Sequence, residues 1–137
     1  MISKTITKLF LLVCILLIAG CDTNLFEGNE AVKIRIENNS EFEMENITVS
    51  FPKEEVSYGT LRPGENSDFF EVKKAYRYAY LETEIDGEQA VVQPIDYVGE
   101  QLLDAGKYTY QLYVTAQNES DSGSSPRYYL GIELKKN

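Results

Sequence analysis

Histidine and tryptophan are both missing from these 137 residues. Without imidazole the chain has no side chain that ordinarily titrates near neutrality, and it lacks the usual general base and the commonest metal ligand. Without indole it has no Trp for stacking on a ligand ring. Cysteine is almost as scarce: only Cys14 and Cys21 are present, and Cys14 lies inside an apolar run. A disulfide framework is therefore excluded as the source of stability. Helical periodicity is also lacking, since no window longer than ten residues keeps an apolar stripe at i, i+3, i+4 spacing.

The first eight residues carry Lys4 and Lys8 and no acid, and Leu9 to Ala19 are eleven consecutive apolar residues. A cationic start followed by a short apolar run is the layout of a secretory signal, expected as a temporary helix. Crossing hydrocarbon permanently takes about 20 apolar residues, so a lasting transmembrane span is disfavoured.

The four residues Ile18, Ala19, Gly20 and Cys21 resemble the lipobox of bacterial lipoproteins. The resemblance implies cleavage before Cys21, a diacylglyceryl thioether on its sulfur and, in many bacteria, a further acyl group such as palmitate on its amine. Two or three chains anchor durably, because each buried CH₂ contributes about 0.8 kcal/mol. Residues 1–20 then form the signal peptide, 21–31 a lipidated tether and 32–137 the folded domain. A flexible tether of ten residues reaches about 20 Å. Leu25 and Phe26 either belong to that tether or dock on the domain. The implied place is the bacterial cell envelope, with the membrane held through the lipid anchor. An Asp after the lipidated Cys, here Asp22, resembles an inner-membrane retention signal in enterobacteria-like sorting, while other phyla sort differently, so the leaflet stays open.

Cleavage leaves 117 residues, enough for one core. Losing Lys4 and Lys8 leaves 11 basic residues against 22 acidic ones, a charge of −11. Such a surface repels phosphate, so nucleic acid is excluded as a partner and only the anchor is expected to touch lipid.

From Val32 onward the chain alternates with period two. Val32, Ile34 and Ile36, then Ile47, Val49 and Phe51 up to Pro52, read as strands with one wet face. Shorter runs follow at 56–61 and 68–72, separated by the turn residues Arg62, Pro63, Gly64, Glu65 and Asn66. Between Ala75 and Tyr97 the pair Asp86, Gly87 marks a two-residue hairpin. Its register places Ile85 opposite Glu88, Leu81 opposite Val92, Tyr78 opposite Ile95, Arg77 opposite Asp96 and Tyr76 opposite Tyr97. Pro94 cannot donate a ladder bond, so the second strand is at an edge, bulged or finished there. A last hairpin joins Tyr108, Tyr110, Leu112 and Val114 to Tyr128, Leu130, Ile132 and Leu134 through the polar stretch 118–126.

Seven or eight short strands with frequent turns and no helix predict an all-β fold, a single antiparallel β-sandwich. Asp104, Ala105, Gly106, Lys107 and Tyr108 resemble the tyrosine corner of immunoglobulin-like domains, which implies a Greek-key arrangement. The antibody-type Cys pair and Trp are absent. Similar segments open strands in prealbumin-like bacterial modules, the alternative topology. Together with the turn at Pro63, the folded part resembles small sandwich lipoproteins of bacterial envelopes.

Chemistry is sparse. Glu82 and Glu84 share a strand face about 7 Å apart, a spacing that a glycosidase pair can use, yet such a pair more often forms a solvated strand end. Asn118, Ser120, Ser122 and Gly123 resemble the opening of a calcium loop, but Tyr129 stands where the bidentate Glu belongs. No enzyme, metal or other cofactor is expected. The ten tyrosines carry more weight. The hairpin register gathers Tyr76, Tyr78, Ile95 and Tyr97 into one candidate patch, with Ala79, Leu81, Ile85, Ala90 and Val92 on the opposite face. The larger aromatic face is expected to form the core, and if exposed it would stack on sugar rings or anchor a partner. The expected function is a non-enzymatic binding or structural module meeting an envelope protein, or a glycan-binding module serving polysaccharide uptake.

Overall fold

The computed structural model describes residues 31–95, 99–117 and 127–137. The signal segment, Cys21 and the tether up to residue 30, Asp96, Tyr97, Val98 and the 118–126 connection lie outside the described residues.

Alternation builds eight strands among them: β1 (Val32–Asn38), β2 (Met44–Phe51), β3 (Glu54–Leu61), β4 (Phe70–Val72), β5 (Tyr80–Ile85), β6 (Glu88–Val92), β7 (Gly106–Gln117) and β8 (Arg127–Lys136). They form two four-stranded sheets, ordered β4-β1-β7-β8 and β3-β2-β5-β6. The sandwich expected from the sequence is thus present. In the antibody arrangement the first, second, fourth and fifth strands share a sheet. Here β1 and β2 lie in opposite sheets, so the strand order is not the antibody one.

One pairing differs from a purely antiparallel sandwich: β1 and β7 run parallel, from Val32 opposite Gly106 to Asn38 opposite Leu112. A hairpin forces its strands to reverse, whereas β7 arrives from the opposite sheet and is free of that constraint.

The core lies between the sheets. Ile34, Ile36, Ile47, Val49, Leu81, Ile85, Tyr110 and Leu112 are fully buried. Tyr110 stacks on Phe51 across the layers, centroids 6.3 Å apart at 18°. The Tyr58 hydroxyl donates to the Ile34 carbonyl at 3.3 Å. Burial, and secondarily the Glu54 carboxylate, push its phenol above the ordinary tyrosine range, so it stays neutral.

The Asp86–Gly87 hairpin has the expected register, Ile85 opposite Glu88 and Leu81 opposite Val92. Both turn residues have positive φ, 52° and 79°, as a primed turn requires. Pairing does not continue outward, however. β5 begins at Tyr80 and β6 ends at Val92, two residues before Pro94. The expected Tyr78–Ile95 pair is absent because residues 73–79 carry the chain from β4 across to the second sheet.

The assignment of faces also reverses the expectation. Ala79, Leu81, Thr83, Ile85 and Ala90 point into the core, while Tyr76, Tyr78 and Tyr80 are only half-buried and Val91 is exposed. Glu82 and Glu84 share the tyrosine face, and burying them would desolvate two carboxylates. The smaller aliphatic face is the one that can enter the core without that penalty.

The tyrosine corner is formed. The Tyr108 hydroxyl donates to the Asp104 carbonyl at 2.9 Å. Between them Gly106 adopts φ +149°, and a Cβ there would lie 3.5 Å from the Tyr108 ring. Glycine is favoured at such an angle. Tyr108→Phe removes only the hydroxyl bond and is expected to cost about 1–1.5 kcal/mol. Thermal unfolding should show a drop of about 5–10 °C; an unchanged midpoint would mean that the corner does not hold the loop.

Candidate functional site

The half-buried tyrosines converge where the chain crosses between sheets. Ala75 is fully buried, and its carbonyl accepts a hydrogen bond from the Leu103 amide at 2.8 Å. Next to it, the Tyr76 carbonyl accepts the Tyr110 hydroxyl at 2.6 Å. With Ala75 and Ala79 directed inward, the residues between and after them, Tyr76, Tyr78 and Tyr80, turn outward. Opposite them β2 ends at Phe51 and Pro52, and the two sides enclose a cleft of about 390 Å³ lined also by Ser50 and Ala79.

The polar ends of these rings are directed to carboxylates. Tyr78 donates to Glu100 Oε1 at 2.8 Å, Tyr80 to Glu82 Oε2 at 3.2 Å, and Ser50 to Glu55 Oε2 at 3.2 Å. The hydrogen bond to Glu82 holds the Tyr80 phenol above its ordinary pKa, with burial and the Glu82 and Glu55 charges adding to it. The cleft is therefore an apolar aromatic surface with carboxylate acceptors at its rim.

Of the candidate patch, Tyr76 and Tyr78 line this cleft, whereas Ile95 is fully exposed and is not among the lining residues. Tyr97 and Cys21 lie outside the described residues. Ser50, Phe51, Pro52 and Tyr80 complete the site and were missed as site residues. Tyr80 continues the Tyr76, Tyr78 alternation, which is the signal that could have found it. The other three come from a distant strand and leave no local trace.

Glu82 and Glu84 are two positions apart on β5, with Glu84 exposed on the outer face. Glu82 accepts from both Tyr80 and Gln89, the latter at 3.3 Å. Among the described residues no group of three or more Cys, Asp or Glu side chains could hold a metal ion.

No protein-family model matches the chain, and no curated protein matches it. Among solved structures it is similar to an NMR structure of a protein from Eubacterium rectale. The TM-score is 0.50 at 18% identity, covering 77% of this chain and 91% of the other. At that identity the likeness is one of fold.

Proposed function

We propose that the chain is a bacterial envelope lipoprotein whose sandwich is a non-enzymatic binding module, with the tyrosine cleft as its binding surface. Residues 1–20 are removed, Cys21 carries the acyl chains, and 21–31 tether the domain formed by 32–137. The lipobox resemblance supports the anchor. The observation that carries the binding reading is the convergence of Tyr76, Tyr78 and Tyr80 on one concave surface while they remain only half-buried. Fully covered rings would have no face to offer a ligand.

A glycan is the second reading, favoured by the rim. A pyranose presents C–H faces to an aromatic ring and hydroxyls to acceptors, and Glu55, Glu82 and Glu100 supply acceptors beside the rings. Rings such as these gain large contact area at little entropic cost. Tyr78→Ala is expected to weaken binding to an oligosaccharide panel at least about fivefold, given that stacking contacts contribute about 1–3 kcal/mol. Binding by calorimetry that is indifferent to this change would remove the cleft as the site.

The anchor has its own test. Cys21→Ser should abolish metabolic labelling with palmitate and leave the chain at its unprocessed mass. A variant that still labels, or runs at the processed mass, would overturn the lipoprotein assignment.

A further inference from the structure

The net negative charge conceals a strong polarity. The reference point is the end of the sandwich at which β1 and β7 begin and β4 and β8 finish, with Val32 opposite both Gly106 and Val72 and Tyr108 opposite Lys136. On the outer face of that end, Lys33 is paired with Lys107 and Arg35 with Thr109, which in turn faces Lys135. Arg35 and Lys107 both lie over the Phe69 ring, at 4.9 and 5.4 Å. Arg35 also donates to Thr109 Oγ1 at 2.9 Å. Around the rim of the same end stand Lys53 in the β2–β3 turn, Lys73, Lys74 and Arg77 after β4, and Lys136 at the close of β8.

Nine of the eleven cations within residues 31–137 thus occupy one end; Arg62 and Arg127 are the exceptions. Among the described residues six carboxylates share it, Glu54, Glu55, Glu71, Glu82, Glu100 and Asp104, leaving a surplus of three positive charges there. Glu37, Asp68 and Glu133 lie at mid-strand levels. The opposite end carries Glu41, Glu43, Glu45, Glu65, Glu84, Asp86 and Glu88, and there Arg62 pairs with Glu43 at 3.6 Å.

Ala31, where the described chain starts, belongs to the cationic end, because its carbonyl accepts the Gly106 amide at 3.2 Å. Cys21 is ten residues upstream, so an acylated Cys21 would hold this end within about 20 Å of the bilayer. Resting on the reading that Cys21 is acylated, we propose that the cationic end is a membrane-contact surface. It seats on anionic lipid headgroups, while repulsion of the acidic end from the same headgroups turns the domain upright. The acyl chains fix the distance and the lysines fix the orientation, two signals acting on one surface. Each Lys or Arg close to an anionic surface strengthens attachment about fivefold. The tyrosine cleft opens at this end too, since Pro52 and Tyr76 to Tyr80 lie there, which places its ligand near the membrane.

The test uses the processed, lipidated chain in vesicles of phosphatidylcholine alone or mixed with phosphatidylglycerol, with amine-reactive labelling read by mass spectrometry. Labelling of Lys33, Lys107 and Lys135 should fall about fivefold on the anionic vesicles. It should recover in 1 M salt, where the Debye length is about 3 Å. The combined substitution Lys33→Glu, Lys107→Glu and Lys135→Glu should remove the dependence of Lys73 and Lys74 labelling on lipid charge, while Arg62→Glu should leave it intact. A chain that floats with both vesicles but labels equally on them overturns the contact surface and spares the anchor. A chain that does not float with either overturns both.

Discussion

Asn38→Leu should destabilise the domain by about 3–5 kcal/mol, because one buried amide closes four hydrogen bonds and leucine closes none. Its Nδ2 donates to the carbonyls of Phe42 at 2.7 Å and Leu61 at 3.0 Å. Its Oδ1 accepts from the Ser40 amide at 3.1 Å and the Ser40 hydroxyl at 2.7 Å. The same residue's backbone amide donates to Glu65 O at 2.9 Å, and its carbonyl accepts Gly64 N at 2.8 Å. The end of β1, the approach to β2, the end of β3 and the following turn therefore meet at one residue, the turn through its backbone and the others through its side chain. Thermal unfolding should fall by about 15–25 °C. The neighbouring exposed Asn39→Ala should change stability by less than about 0.5 kcal/mol. If the two substitutions cost the same, the network contributes nothing.

Tyr110→Ala is expected to be comparably severe, about 3–5 kcal/mol, since it empties a fully buried aromatic site. Phe51 loses its stacked partner and the Tyr76 carbonyl loses its 2.6 Å donor. Tyr110→Phe separates the two effects. It keeps the ring and removes only the hydroxyl, costing about 1–2 kcal/mol, and it releases the backbone that sets the Tyr76 ring. Aromatic NMR signals of Tyr76 and Tyr78 should shift in this variant, while Tyr128, hydrogen-bonded to Asp86 at the opposite end at 2.5 Å, should keep its signals. Equal shifts at both ends would mean that Tyr110 does not position the cleft.

Local patterning carried the strands and their tight turns. Asp86 and Gly87 announce a two-residue loop, and such a loop leaves little freedom in register; the Asp104 to Tyr108 spacing likewise announced a bond confined to five residues. What the sequence left illegible depends on distant segments. Alternation runs unbroken from Tyr76 into β5, so nothing local marks where the crossing ends and the strand begins. Both faces of that hairpin carry apolar residues, and the signal that separates them, the two carboxylates Glu82 and Glu84 on the tyrosine face, is outweighed on a count of apolar area by the rings beside it. The β1–β7 partnership joins segments 74 residues apart, beyond any short-range signal. Asn38 reads as a turn residue beside Asn39 and Ser40, although it is part of the core. Lys33, Lys53, Lys73, Lys107 and Lys135 are scattered singly along the chain, so their gathering at one end appears only once the strands are aligned.

The parallel β1–β7 pair sets entry and exit side by side: Gly106 N bonds Ala31 O, and Asn137 N bonds Lys107 O at 2.9 Å. A reporter fused after Asn137 would emerge beside the point where the chain comes in, wedged beneath the domain whenever that point is tied to a surface. With that point so tied, a partner arriving from the solvent would meet the far tip instead, where Asp86 and Gly87 reverse the chain.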